Sequence, residues 1–148
     1  MRPELTNLFE RLAGELPAGT ASVTTYEVPK KAGTVIELKP TNAAAAEFGV
    51  HCDDADVYSF SFGVMSYWEF PYQRRYRYDE KDILTEIEEM SRAIIAGNCE
   101  EKRGWFYLKG SIDVGDYRYK STNLPMLPIP PFWTRRYAPY LHLSDNCR

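Results

Sequence analysis

From Tyr58 to Phe70 the even positions are apolar and mostly aromatic (Tyr58, Phe60, Phe62, Val64, Trp68 and Phe70), while Ser59, Ser61, Gly63 and Glu69 alternate with them. A period of two is the period of a pleated strand, so this stretch has one dry face and one wet face. The dry face must be covered by another layer, which limits the chain to architectures that lay something across a sheet. Gly63 and Ser66 interrupt the run, which reads as one bent strand with a bulge or as two strands joined tightly. Pro71 ends it.

Two segments have the pattern needed to cover such a face. Over residues 3–16, Leu5, Leu8, Phe9, Leu12 and Leu16 recur at helical spacing, with Glu4, Asn7, Glu10 and Arg11 turned to water. Pro3 suits a first turn, and Pro17-Ala18-Gly19 stops the helix. Over residues 80–97, Ile83, Leu84, Ile87, Met90, Ile94 and Ile95 make the second apolar stripe, capped by Asp79 and closed by Gly97-Asn98.

Further strands are expected around these helices. Residues 20–28 and 34–39 read as a hairpin across the Pro29–Gly33 loop, and Ala43–Ala46 begins either a helical turn or a strand through Phe48 and Val50. Residues 103–112 read as one strand, turning at Asp113–Asp116 into a partner at 117–120. Five prolines between 125 and 139 predict an extended tail over 124–148, packed back through Met126, Leu127, Ile129, Phe132 and Trp133. The expected class is α+β. It has an antiparallel sheet of about five to six strands, two helices (3–16 and 80–97) mainly on one face, and a proline-rich C-terminal tail. All 148 residues are read as one domain.

The charge balance narrows function. With 18 Lys and Arg against 21 Asp and Glu the chain is slightly acidic, which disfavours binding to nucleic acid as a whole. No run of apolar residues is long enough for a membrane helix or a signal core, so a cytoplasmic protein is expected. Cys52, Cys99 and Cys147 are odd in number and widely spaced, and read as reduced thiols.

Candidate sites come in three kinds. Tyr72, Arg74, Arg75, Tyr76 and Arg77 interleave aromatic and basic side chains, the residue types enriched at binding hot spots, and could also stack and pair a nucleic acid strand. Residues 79–101 carry Asp79, Glu80, Asp82, Glu86, Glu88, Glu89, Glu100 and Glu101 against Lys81 and Arg92. Such a face suits docking to a basic partner, with Glu86 and Glu89 the contact residues and Glu88–Arg92 an internal i,i+4 pair. Tyr58, Phe60, Phe62 and Trp68 either fill a core or line a small-molecule pocket. His51-Cys52-Asp53-Asp54 with Asp56 and the distant His142 do not add up to a metal site, since neighbours on a strand point to opposite faces. No cofactor is implied and no catalytic residue stands out.

Asp82-Ile83-Leu84-Thr85-Glu86-Ile87-Glu88, running into Ala93-Ile94-Ile95-Ala96-Gly97-Asn98-Cys99-Glu100-Glu101, is similar to the helix and glycine turn of small bacterial immunity proteins from polymorphic toxin systems. The resemblance implies a compact, acidic, non-enzymatic α+β protein that covers the active site of a toxin. It carries over no individual binding residue. The leading expectation is therefore a protein-binding module, with a basic protein or a second copy of the chain as partner. A small-molecule binder or enzyme with its pocket in the aromatic sheet is the alternative, and nucleic-acid binding through residues 72–78 ranks third.

Overall fold

The computed structural model describes residues 2–28, 33–53, 58–64, 66–70, 80–105, 107–123 and 131–141. Along the chain lie α1 (Arg2–Gly14), β1 (Ala21–Glu27), β2 (Gly33–Pro40), β3 (Phe48–Asp53), β4 (Tyr58–Phe62) and β5 (Ser66–Phe70). They are followed by α2 (Glu80–Ile95), β6 (Cys99–Arg103), β7 (Leu108–Val114), β8 (Tyr117–Asn123) and β9 (Trp133–Arg136). The class is α+β, and both helices fall where their apolar stripes place them. The strands divide between two antiparallel sheets, one of order β1-β2-β3-β4-β5 and one of order β8-β7-β6-β9.

The alternation over 58–70 resolves into two strands. Phe62 lies opposite Ser66 and Phe60 opposite Trp68, so the chain reverses at Gly63–Val64, where Gly63 takes φ of 62°. The inward positions of β2, β3 and β4 stay in register. Ile36 faces Val50, which faces Phe60, and Leu38 faces Phe48, which faces Phe62. This gives one apolar surface, which α1 covers with Leu5, Leu8, Phe9 and Leu12, and the Phe9 ring meets Phe48 at 5.4 Å between centroids. Ile83, Ile87, Met90 and Ile94 of α2 are buried in the same core. Burial at roughly 25 cal/mol per Å² of apolar area is the main force holding helices to sheet.

Helix α2 stops by a Schellman turn. Asn98 N–H donates to Ala93 O and Gly97 N–H to Ile94 O, each at 2.9 Å, with Gly97 at φ of 80°. A Cβ at Gly97 would also stand 2.6 Å from Pro139 N, so the turn is where the tail crosses.

Two expectations are corrected. The stretch read as one strand over 103–112 is broken, because Gly104 N–H donates to Tyr107 O at 2.9 Å and the chain doubles back from β6 into β7. Trp105 therefore sits on a tip and not in a sheet. The tail is anchored by Tyr137 and Tyr140, both buried, and not by Phe132, which is 58% exposed. Residues 124–130, with Met126, Leu127 and Ile129, lie outside the described residues. Part of the tail is a strand after all. β9 pairs with β6 as the last strand of the second sheet, a position where nearby prolines cost no ladder bonds. Among the described residues no helix is long and apolar enough to cross a membrane.

Candidate functional site

The outer face of α2 is split into two halves of opposite character. On one side Glu88 is gripped by Arg11 of α1, with Nη1 to Oε1 at 3.0 Å and Nη2 to Oε2 at 2.8 Å. Arg92 donates its Nε to the same carboxylate at 3.0 Å and reaches Glu15 at 2.7 and 3.0 Å. This four-residue network ties the two helices together. The hydrogen bond from Arg11 is the first reason the Glu88 carboxyl titrates below its usual range, with Arg92 adding to it.

The other side carries Asp82, Glu86 and Glu89 at spacings of four and three, which puts them in one row. Asp82 and Glu89 are exposed and Glu86 is half-buried. Among the described residues no ion pair is made by any of the three. The Glu86 carboxyl is pushed above its usual range, first by burial and then by the like charges of Glu89 and Asp82. A cation brought to this row would offset the repulsion felt by Glu86.

Glu100 and Glu101 do not extend the acidic face. Both lie on β6, where Glu100 pairs with Lys102 at 2.7 Å and lies 3.5 Å from Arg136. Glu101 turns inward and is fully buried. Its Oε1 accepts from Ser66 N–H at 3.1 Å and from Ser66 Oγ at 2.6 Å, and its Oε2 accepts from Val64 N–H at 3.1 Å and Tyr137 OH at 2.5 Å. One carboxylate from the second sheet thus holds the β4–β5 turn of the first. That carboxylate, with burial, raises the Tyr137 phenol well above its ordinary range, burial being the larger cause. Sequence reading missed this role because a buried Glu is rare and its partners are 35 to 37 residues away.

The remaining predicted residues are placed as follows. Tyr72, Arg74, Arg75, Tyr76 and Arg77 lie outside the described residues, as do Asp54, Asp56, His142 and Cys147. Tyr58, Phe60 and Phe62 belong to the core, and Trp68 packs against it with its ring stacked on Phe62 at 5.7 Å. Cys52 and Cys99 are buried free thiols, and burial pushes their pKa values up to about 11 and about 12. Thiols so disfavoured as thiolates are not nucleophiles at neutral pH. A surface feature not foreseen is the pair Trp105 and Phe132, 77% and 58% exposed, with ring centroids 5.5 Å apart.

Comparison with protein-family models, with curated proteins and with solved structures finds no match to this chain.

Proposed function

We propose that this chain is a non-catalytic, cytoplasmic protein-binding module that docks a basic surface of its partner onto the row Asp82, Glu86 and Glu89 of α2. The observation that carries the reading is the state of Glu86, half-buried between two like charges and without a cation among the described residues. A carboxylate that is costly to ionise in the free protein gains most from an arriving Arg or Lys, because pairing removes the repulsion as well as adding attraction. The second half of the same helix face is already neutralised by Arg11 and Arg92, which restricts docking to one side.

Inhibition of the immunity type is the concrete form of this activity. It suits an acidic α+β chain of this size, and it needs a rigid acidic face more than a catalytic cleft. The burial of Cys52 and Cys99 supports the non-catalytic part of the reading, since neither thiol is poised to react.

The test is affinity capture from native lysate with the wild-type chain, the double variant E86K/E89K, and E10K as a charge reversal on the exposed face of α1. A stoichiometric basic protein retained by wild type and E10K and lost with E86K/E89K is the expected result. An empty capture, or a partner indifferent to the α2 reversal, would remove the acidic row from the account.

A further inference from the structure

Between the segment 40–47, the β4–β5 turn and β9 lies an open cleft of about 460 Å³, walled by Pro40, Asn42, Ala43, Ala45 and Val64, with Glu47 and Arg135 contributing its charges. Tyr137 is also in its wall, fixed from behind by buried Glu101. Arg135 is the residue directly across the β6–β9 ladder from Glu101. Opposite charges at such positions ordinarily pair. Here they do not, because the Glu101 carboxylate is taken up by Ser66, Val64 and Tyr137.

Arg135 turns toward the cleft instead. Its guanidinium lies 4.7 Å from the Tyr137 ring centroid, and its Nη2 donates to Ala43 O at 3.2 Å. These contacts hold the group at the cleft and leave most of its five donors unused. No ion pair is made by Arg135 among the described residues. Glu47, exposed, is likewise without one, since the nearby Lys39 ammonium is held by Glu37 at 3.0 Å. The cleft therefore presents one unneutralised cation and one unneutralised anion that do not meet each other. Its other walls are the small residues Pro40, Ala43, Ala45, Gly63 and Val64, with Asn42 as a further polar side chain.

We infer that this cleft binds a small zwitterion of the α-amino-acid class, its carboxylate on Arg135, its ammonium on Glu47, and its side chain against Ala43, Ala45 and Val64. A planar guanidinium held over an aromatic ring keeps donors for bidentate carboxylate recognition, and a lone carboxylate on the same cleft disfavours plain anions. The site is independent of the acidic row on α2.

The test is an amide chemical-shift titration of the full chain with glycine, L-valine and L-lysine. Isovalerate and isobutylamine serve as the L-valine analogues lacking the ammonium and the carboxylate. At least one of the three amino acids is expected to give saturable shifts confined to the cleft around residues 42–47, 63–64 and 135–137. Each truncated analogue should bind about tenfold or more weakly than L-valine, the usual worth of one charge-assisted contact. R135Q should abolish the preference for L-valine over isobutylamine, and E47Q the preference over isovalerate, with dispersed spectra showing both variants folded. Absence of saturable shifts from all three amino acids, shifts mapping elsewhere, equal binding of all probes, or binding that survives R135Q unchanged would overturn the inference.

Discussion

Replacing Glu101 by Gln removes a charge but keeps the shape, and its cost follows from the bonds that Ser66, Val64 and Tyr137 make to that carboxylate. Oε1 serves Ser66 N–H and Ser66 Oγ, while Oε2 serves Val64 N–H and Tyr137 OH. A Gln whose oxygen keeps one pair must aim its NH2 at the other. Hydroxyls of Ser66 and Tyr137 can rotate to accept, but the N–H groups of Val64 and Ser66 can only donate, so a donor faces a donor in either orientation. One charge-assisted bond of about 1.5–3 kcal/mol is lost outright and the buried donor left facing a donor costs about 1–3 kcal/mol more, so the loss is about 3–5 kcal/mol. For a chain of this size that is a fall of roughly 6–20 °C in the unfolding midpoint. Tyr137→Phe removes one bond and leaves those from Ser66 and Val64 in place, so it should cost less, about 1.5–3 kcal/mol. Urea unfolding of wild type, E101Q, Y137F and the double variant gives the cycle, in which residues sharing one network should couple by about 0.5–3 kcal/mol. An E101Q stability within about 0.5 kcal/mol of wild type would refute the assignment of Glu101 as the clamp between sheets.

Gly63→Ala should destabilise by at least about 2 kcal/mol, since its φ of 62° strains any other residue and its Cβ would collide with Tyr137 OH and stand 2.6 Å from Glu101 Oε2; a neutral effect in thermal melts would contradict this. The two halves of the α2 face should respond oppositely to loss of charge. Glu88 has a lowered folded pKa, so its contribution is in place above the unfolded carboxylate value near 4.3 and fades as pH falls through the folded one, and Glu88→Gln should cost a little, under about 1 kcal/mol for a partly exposed pair. Glu86 has a raised folded pKa, so its ionised form is a burden at pH 7 that lifts as pH falls, and Glu86→Gln should leave stability unchanged or slightly higher; a clear loss in urea unfolding at pH 7 would show a hidden partner. Iodoacetamide at pH 8 should leave Cys52 and Cys99 unmodified in the folded chain and modify both in urea, read by peptide mass mapping, because burial holds their pKa values near 11 and 12.

Much of the fold was legible because it is written in local periods. The stripes of Leu5 to Leu12 and Ile83 to Ile94, the even-numbered aromatics of 58–70 and the turn chemistry at 113–116 each need only a few neighbouring residues to be read. Strand β6 was hidden, since Cys-Glu-Glu-Lys-Arg looks like solvated helix end; its inward residues are Cys99 and Glu101, and a carboxylate facing inward makes sense only once Tyr137 and Ser66 are known to meet it. The same long-range pairing divides the strands into two sheets. Trp105 was misplaced because aromatic propensity favours a strand, while the bond from Gly104 to Tyr107 decides for a turn. That Glu86 and Glu89 share one helix face could be read from their spacing in the sequence. The cleft could not, because Glu47 and Arg135 are 88 positions apart.

The pairing state of Glu86 is the quantity on which the functional account turns. Its side-chain carboxyl can be followed by carbon NMR through an acid titration, in the free chain and with the captured partner bound. The account predicts a pKa above the ordinary glutamate value in the free protein and a fall on binding, with a matching release of protons as the partner docks. A Glu86 titration that is ordinary in the free chain, or identical with and without partner, would contradict docking of a basic surface on this row.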